Sequence, residues 1–244
     1  MMQITPAIKH LIIANVVFFI IAVFVPNFQG LTAIWFFENP NFHWWQFISH
    51  MFMHGGTTHL IFNMFALWSF GSPLEQIWGS NRFLFFYFAC GLGAALIHSG
   101  VNYYYFQEGF SLLLKEGYSS QEIFEILEKG KYYTAWETML PAETFQNMMS
   151  AYNTPAVGAS GAVYGILVAF GMLFPNAELM LIFFPVPIKA KYFIPILVGL
   201  DLFSGITGFS IFGGNIAHFA HVGGALIGFI LMWIWRKKNR FFVS

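Results

Sequence analysis

Apolar positions in this chain gather into long runs broken by short polar stretches, not into the one-sided stripes of a surface helix. A bilayer core of about 30 Å asks for roughly 20 consecutive apolar residues per helix. Six segments meet or approach that length: about Ala7 to Val25, Thr58 to Trp78, Phe83 to Val101, Ser160 to Phe174, Tyr192 to Phe209 and Ile216 to Trp235. The fourth is short for a full span. A further apolar stretch, Leu179 to Val186, is too short to cross and has prolines nearby, so it reads as an interfacial loop. The first run lacks a small-residue cleavage site before Pro26-Asn27 and is expected to remain as an uncleaved span.

The third and fourth runs are separated by Asn102 to Pro155, too long for a structureless connection in a compact protein. Within it Ser119 stands three residues before Glu122, a capping box, and Gly130 supplies a helix stop after an apolar stretch. The segment has seven glutamates against three lysines. It is expected to fold as a small external helical insertion between the third and fourth helices.

Composition settles the class of protein. Of 244 residues, 57% are apolar and only 9% charged, where a soluble domain carries roughly 25% charged residues. Much of the surface must therefore face lipid, which excludes a soluble enzyme and a disordered chain. The expectation is an all-α, multi-pass membrane protein whose first partner is the lipid bilayer. Eleven basic and eleven acidic side chains cancel, so no basic surface is offered to nucleic acid. The single cysteine, Cys90, forms no intramolecular disulfide and reads as a small packing residue.

An even number of spans puts both termini on one side. Lys9, Arg82, Lys189, Lys191, Arg236, Lys237, Lys238 and Arg240 fall on that side, and only Lys115, Lys129 and Lys131 fall opposite. The bias predicts cytoplasmic termini, with a bacterial cytoplasmic membrane as the expected host. Trp44, Trp45, Trp233 and Trp235 read as interfacial anchors.

Polar residues inside such runs are expensive and face the bundle interior. Gly158-Ala159-Ser160-Gly161 opens the fourth run and leaves the Ser160 hydroxyl between glycines; by itself this is either a nucleophile or a small-residue packing contact. His218 and His221 open the sixth run. Gly224 and Gly228 follow at the small-xxx-small spacing that lets two helix backbones touch, and His221 lies on the Gly224 face. A metal pair at His218 and His221 lacks any neighbouring carboxylate or cysteine to complete it, and no metal is expected. In the second run His59 and Asn63 are four residues apart on one face; they are either oxyanion donors or an interhelical hydrogen-bonded pair. His54-Gly55-Gly56-Thr57-Thr58-His59 lacks the glutamate and spacing of a zinc-protease helix.

Taken together, GxSG on the fourth run, HxxGxxxG on the sixth and HxxxN on the second resemble the rhomboid family of intramembrane serine proteases. The resemblance covers nearly all of the chain outside 102–155. It implies a six-transmembrane-helix bundle forming a single domain, residues 1–244, and a serine endopeptidase acting on transmembrane protein substrates without cofactor. Position by position, Ser160 resembles the nucleophile, His221 the general base, and His59 and Asn63 the oxyanion-stabilising side chains. His54, Gly158, Gly161 and Gly224 fall in supporting positions, and Glu75 with Gly79-Ser80-Asn81-Arg82 matches the cytoplasmic end of the second helix. His218 lies outside the matched frame. The chain departs from the family at Gln46, where many members have Arg after Trp. The resemblance implies a Ser–His dyad, and no acidic third member is expected beside His221. Asp201, in the fifth run, is left with a structural role. Two other classes compete: a non-catalytic rhomboid-like protein that binds or escorts membrane clients, and a transporter, which would call for paired repeats that the chain lacks.

Overall fold

The computed structural model describes residues 3–181, 184–209 and 217–237. The described residues form helices α1 (Pro6–Phe24), α2 (Phe28–Thr32), α3 (Gln46–Ser49), a 3-10 turn (His50–Phe52), α4 (Thr57–Trp78) and α5 (Ser80–Lys115). There follow α6 (Ser120–Glu128), α7 (Trp136–Met139), α8 (Ala142–Asn153), α9 (Ser160–Leu173), strands β1 (Glu178–Leu181) and β2 (Phe184–Lys189), α10 (Ala190–Thr207) and α11 (His218–Lys237). Among these, α1, α5, α10 and α11 are long and apolar enough to cross a membrane. The 22 residues of α4 reach about 33 Å, but His59, Asn63, Ser69, Ser72, Glu75 and Gln76 dilute its apolar character. The 14 residues of α9 are shorter still. Ile216, Lys238 and Arg240, used in the span and orientation readings, lie outside the described residues.

Short as it is, α9 is the centre of the bundle. It packs against α4, α5, α10 and α11, and its buried residues, from Gly161 round to Phe170, cover all of the helix but the half-buried stripe of Ser160, Tyr164, Val168 and Gly171 and the half-buried end at Met172 and Leu173. A helix apolar all round belongs in a core. Gly and Ala on its upper half permit close approach: a Cβ at Gly165 would lie 2.4 Å from Cys90 Sγ, so the lone cysteine fills the α5–α9 seam as a packing residue. At the opposite end of α4 the buried Glu75 carboxylate accepts from the backbone N–H of Ala7 (2.8 Å) and Ile8 (3.1 Å) and from the hydroxyls of Thr5 and Ser80. A carboxylate thus satisfies the orphan donors at the start of α1 and ties α1 to the α4–α5 turn. Trp235 packs edge-on against Trp78, ring centroids 5.4 Å apart, so it belongs to the helix contacts and is not simply an interfacial anchor.

Two sequence expectations are corrected. The third helix does not stop at Val101; it runs unbroken to Lys115, since no proline interrupts it and the one glycine beyond Val101, Gly109, lies against Met148. Its 36 residues, about 54 Å, exceed the bilayer core. The projecting end builds a second hydrophobic cluster: Phe106 and Leu113 pack with Ile123, Leu127, Trp136, Met148, Tyr152 and Phe36. In that layer Ser119 caps α6, its hydroxyl accepting from Glu122 N–H at 3.2 Å, and Gly130 follows α6 with φ +67°, as the capping pattern predicts. The second correction is at Leu179 to Val186, whose described residues lie in the antiparallel β1–β2 ribbon, with Glu178 opposite Lys189 and Leu179 opposite Ile188. Proline is tolerated there because each strand of a two-stranded ribbon has a free edge.

Gln46, where the chain departs from the family pattern, anchors the loop between α1 and α4. It is fully buried. Its amide donates to Asn41 O (2.8 Å) and Leu31 O (3.3 Å) and accepts from Trp35 N–H (3.3 Å). A neutral amide thus ties together three backbone groups of the loop. Gln46→Ala should lower unfolding stability by about 2–3 kcal/mol, the sum of those bonds, measured by denaturant titration in detergent. An unchanged midpoint would mean that the loop holds itself.

Candidate functional site

The segment before α9 is pinned on both sides. Ile34 and Ala156 exchange two backbone hydrogen bonds, each 2.9 Å, and Gly158 N–H donates to His50 O at 2.9 Å. His50 is itself buried, and burial pulls its pKa down to about 4; the neutral ring holds Gln46 O through Nδ1 at 2.7 Å. The loop between α1 and α4 therefore fixes where the serine sits. Gly158 adopts φ +128°, a conformation closed to most side chains, and a Cβ there would stand 2.9 Å from His59 Cε1. That pairing explains why glycine precedes the serine by two residues and why His59 lies over it.

Ser160 is the first residue of α9, with Ala159 at the cap. The backbone N–H groups of the first turn have no intrahelical acceptor and lie at the positive end of the helix dipole. From α11, His221 Nε2 lies 2.8 Å from Ser160 Oγ. The two helices come this close because glycine meets glycine: a Cβ on Gly224 would be 1.8 Å from Gly161 O, and one on Gly228 would be 2.7 Å from Gly165 Cα. The small-residue spacing read from the sixth run is thus a backbone contact, and it sets the serine–histidine distance.

A carboxylate completes the arrangement, contrary to the expectation of a bare dyad. Asp201 Oδ1 lies 3.1 Å from His221 Nδ1 and 2.6 Å from His218 Nδ1, and the Tyr164 hydroxyl donates to Oδ2. The Tyr164 ring also stacks on His221, centroids 4.3 Å apart and 13° from parallel. Asp201 is almost fully buried. Its signal in the sequence was the ionisable residue in an apolar run; the missing information was the partner, 20 residues away on another helix.

The remaining candidates surround the serine from α4. His59 Nδ1 accepts from Gly55 N–H at 3.4 Å, which leaves Nε2 as the protonated donor nitrogen, on the side facing Gly158 and Ser160. Asn63, buried one turn below, donates one amide hydrogen to His59 O at 2.9 Å and keeps a second. His54 is buried edge-on against His59, centroids 5.0 Å apart, with no hydrogen-bond partner for either ring nitrogen among the described residues. Beside Ser160 lies a cavity of about 20 Å³ lined by His50, His98, Gly158 and small Ala and Gly residues, room for a water molecule. No group of three or more His, Cys, Asp or Glu side chains placed to hold a metal occurs among the described residues.

Comparison with known proteins shows the family. The Rhomboid domain family matches residues 41–119 and 122–238, so the chain belongs to the rhomboid family. The match runs through 102–155 apart from a break at 120–121, so nothing in it sets that segment apart as an insertion. Rhomboid protein 1, mitochondrial, of Saccharomyces cerevisiae is 28% identical over 76% of this chain and 40% of its own length. Rhomboid protease AarA of Providencia stuartii is 27% identical over 77% of this chain and 54% of its own. Rhomboid protease GluP of Bacillus subtilis is 42% identical over 22% of this chain and 10% of its own. The chain thus spans about half or less of these relatives. Some relatives are named for mitochondria and one for the chloroplast, and the expected bacterial cytoplasmic membrane finds no support among them. The protein is a multi-pass membrane protein with apolar helices of spanning length.

Proposed function

We propose that this protein is an intramembrane serine endopeptidase that cleaves transmembrane protein substrates near the outer membrane face. It does so as one six-span domain with both termini cytoplasmic and residues 102–155 outside. The observation that carries the reading is the 2.8 Å contact between Ser160 Oγ and His221 Nε2 at the mouth of the bundle. A substrate helix must unwind locally, because its amides are paired internally. Ser160 Oγ then attacks the carbonyl carbon as its proton passes to His221 Nε2. The oxyanion meets the Ser160 backbone N–H, His59 Nε2–H and the spare amide hydrogen of Asn63. His221 returns the proton to the leaving amine, and water from beside the serine releases the acyl group by the same steps in reverse order.

The test is labelling by a serine-reactive phosphonate in detergent, with the intact chain compared with Ser160→Ala. Labelling lost with Ser160 supports the protease reading; an inert intact chain leaves the client-binding alternative in its place.

Asn63→Ala should lower kcat by about 10²-fold with little change in KM, since the donor serves charge that exists only in the transition state. Steady-state cleavage of a reconstituted substrate reads this. A raised KM at constant kcat would make Asn63 a substrate-positioning residue, and a lowered melting temperature alone would return it to helix packing.

A further inference from the structure

α10 crosses the bundle with one acidic residue, Asp201, and the energetic problem of a buried carboxylate is solved at a single point. Oδ1 faces two imidazoles from α11 and Oδ2 faces one phenol from α9. A carboxylate only accepts hydrogen bonds, so His221 must carry its proton on Nδ1 and present Nε2 as a lone pair. That lone pair is what lies 2.8 Å from the Ser160 hydroxyl. The ring is then held at both nitrogens and on the face that stacks on Tyr164.

We propose that Asp201 is the positioning residue of the catalytic histidine, joining the Ser160–His221 pair as an orienting third member, with Tyr164 and His218 anchoring the carboxylate. The inference rests on the protease reading above. During attack the Ser160 O–H bond breaks, Oγ bonds to the substrate carbon, and the proton goes to His221 Nε2. In the collapse that follows, the C–N bond breaks and the same proton leaves with the amine. Asp201 neither gains nor loses a proton; it keeps Nδ1–H in place and faces the imidazolium while that charge lasts. His218 gives the carboxylate a second cation-capable neighbour on the same oxygen. The two histidines therefore divide one acceptor, and the shorter bond, 2.6 Å, goes to the residue that does not meet the serine.

The test uses the full chain in detergent with wild type and Ser160→Ala as references. Asp201→Asn should lower kcat by about 10²–10⁴-fold, the scale of a lost orienting carboxylate, with KM changed less than about twofold and phosphonate labelling slowed in parallel. His218→Ala, which leaves the carboxylate on His221, should cost less than Asp201→Asn. If Asp201 only ties α10 to its neighbours, Asp201→Asn lowers the melting temperature while kcat per folded molecule holds, and the proposal fails. Should Asp201→Asn not fold, histidine 15N NMR of the wild type decides, with His221 assigned by its loss in His221→Ala. A neutral ring protonated on Nδ1 is required, and an Nε2–H tautomer overturns the proposal. An unlabelled wild type sinks the protease reading instead, a result separable from every outcome above.

Discussion

Ser160→Ala and His221→Ala are each expected to abolish measurable cleavage of a helical membrane substrate while the protein stays folded. In the proposed mechanism the nucleophile and the base act on one proton, so once either is gone the other has nothing to do. The double variant should therefore be no slower than either single one. Neither side chain carries much of the fold: Ser160 is half-buried at a helix start and His221 is half-buried at another. Cleavage in proteoliposomes, with melting temperature as the control, reads the result. Activity surviving in His221→Ala but lost in His218→Ala would show that the base has been assigned to the wrong histidine, since both rings reach the same carboxylate oxygen.

Gly224→Ala is also expected to have a large effect, through a single methyl group that touches no substrate. The new Cβ would lie 1.8 Å from Gly161 O, against the 3.4 Å at which ordinary contact begins, so α9 and α11 must part by roughly the 1.6 Å difference. The neighbour is backbone and cannot swing aside. Ser160 and His221 ride on those two helices, and a misplacement near 1 Å costs on the order of 10²-fold in rate. Overpacking of this kind also destabilises by about 1–3 kcal/mol. Gly228→Ala supplies the contrast. It strains the same seam at Gly165, one turn further from the catalytic pair, so its melting temperature should fall comparably and its kcat much less. Equal kcat losses in the two variants would mean that helix separation as a whole matters, and not the local serine–histidine distance.

Much of this architecture was legible in linear order. Apolar runs located the helices because spanning length is a local property of the chain. The cap at Ser119 and the stop at Gly130 were readable because capping joins residues a few positions apart. Gly158, Ser160, His221 and Gly224 were recognisable because each motif lies within one helical turn or two. The end of α5 was misread because nothing in 101–115 looks unlike a loop until Met148 and Tyr152 arrive to bury its face.

What the sequence determined alone is which residues share a turn, a face or a cap, and therefore that a serine, a histidine and an HxxxN pair start three different helices. Only the tertiary structure decided that Asp201 meets His221 and that Gln46 holds the α1–α4 loop by three backbone groups. The reason is physical. A buried polar side chain must find a partner, but which partner depends on which helix faces are brought side by side. Here that choice was made by glycine backbones touching between α9 and α11 and by α10 packing across both. Periodicity along one helix carries no record of that neighbour.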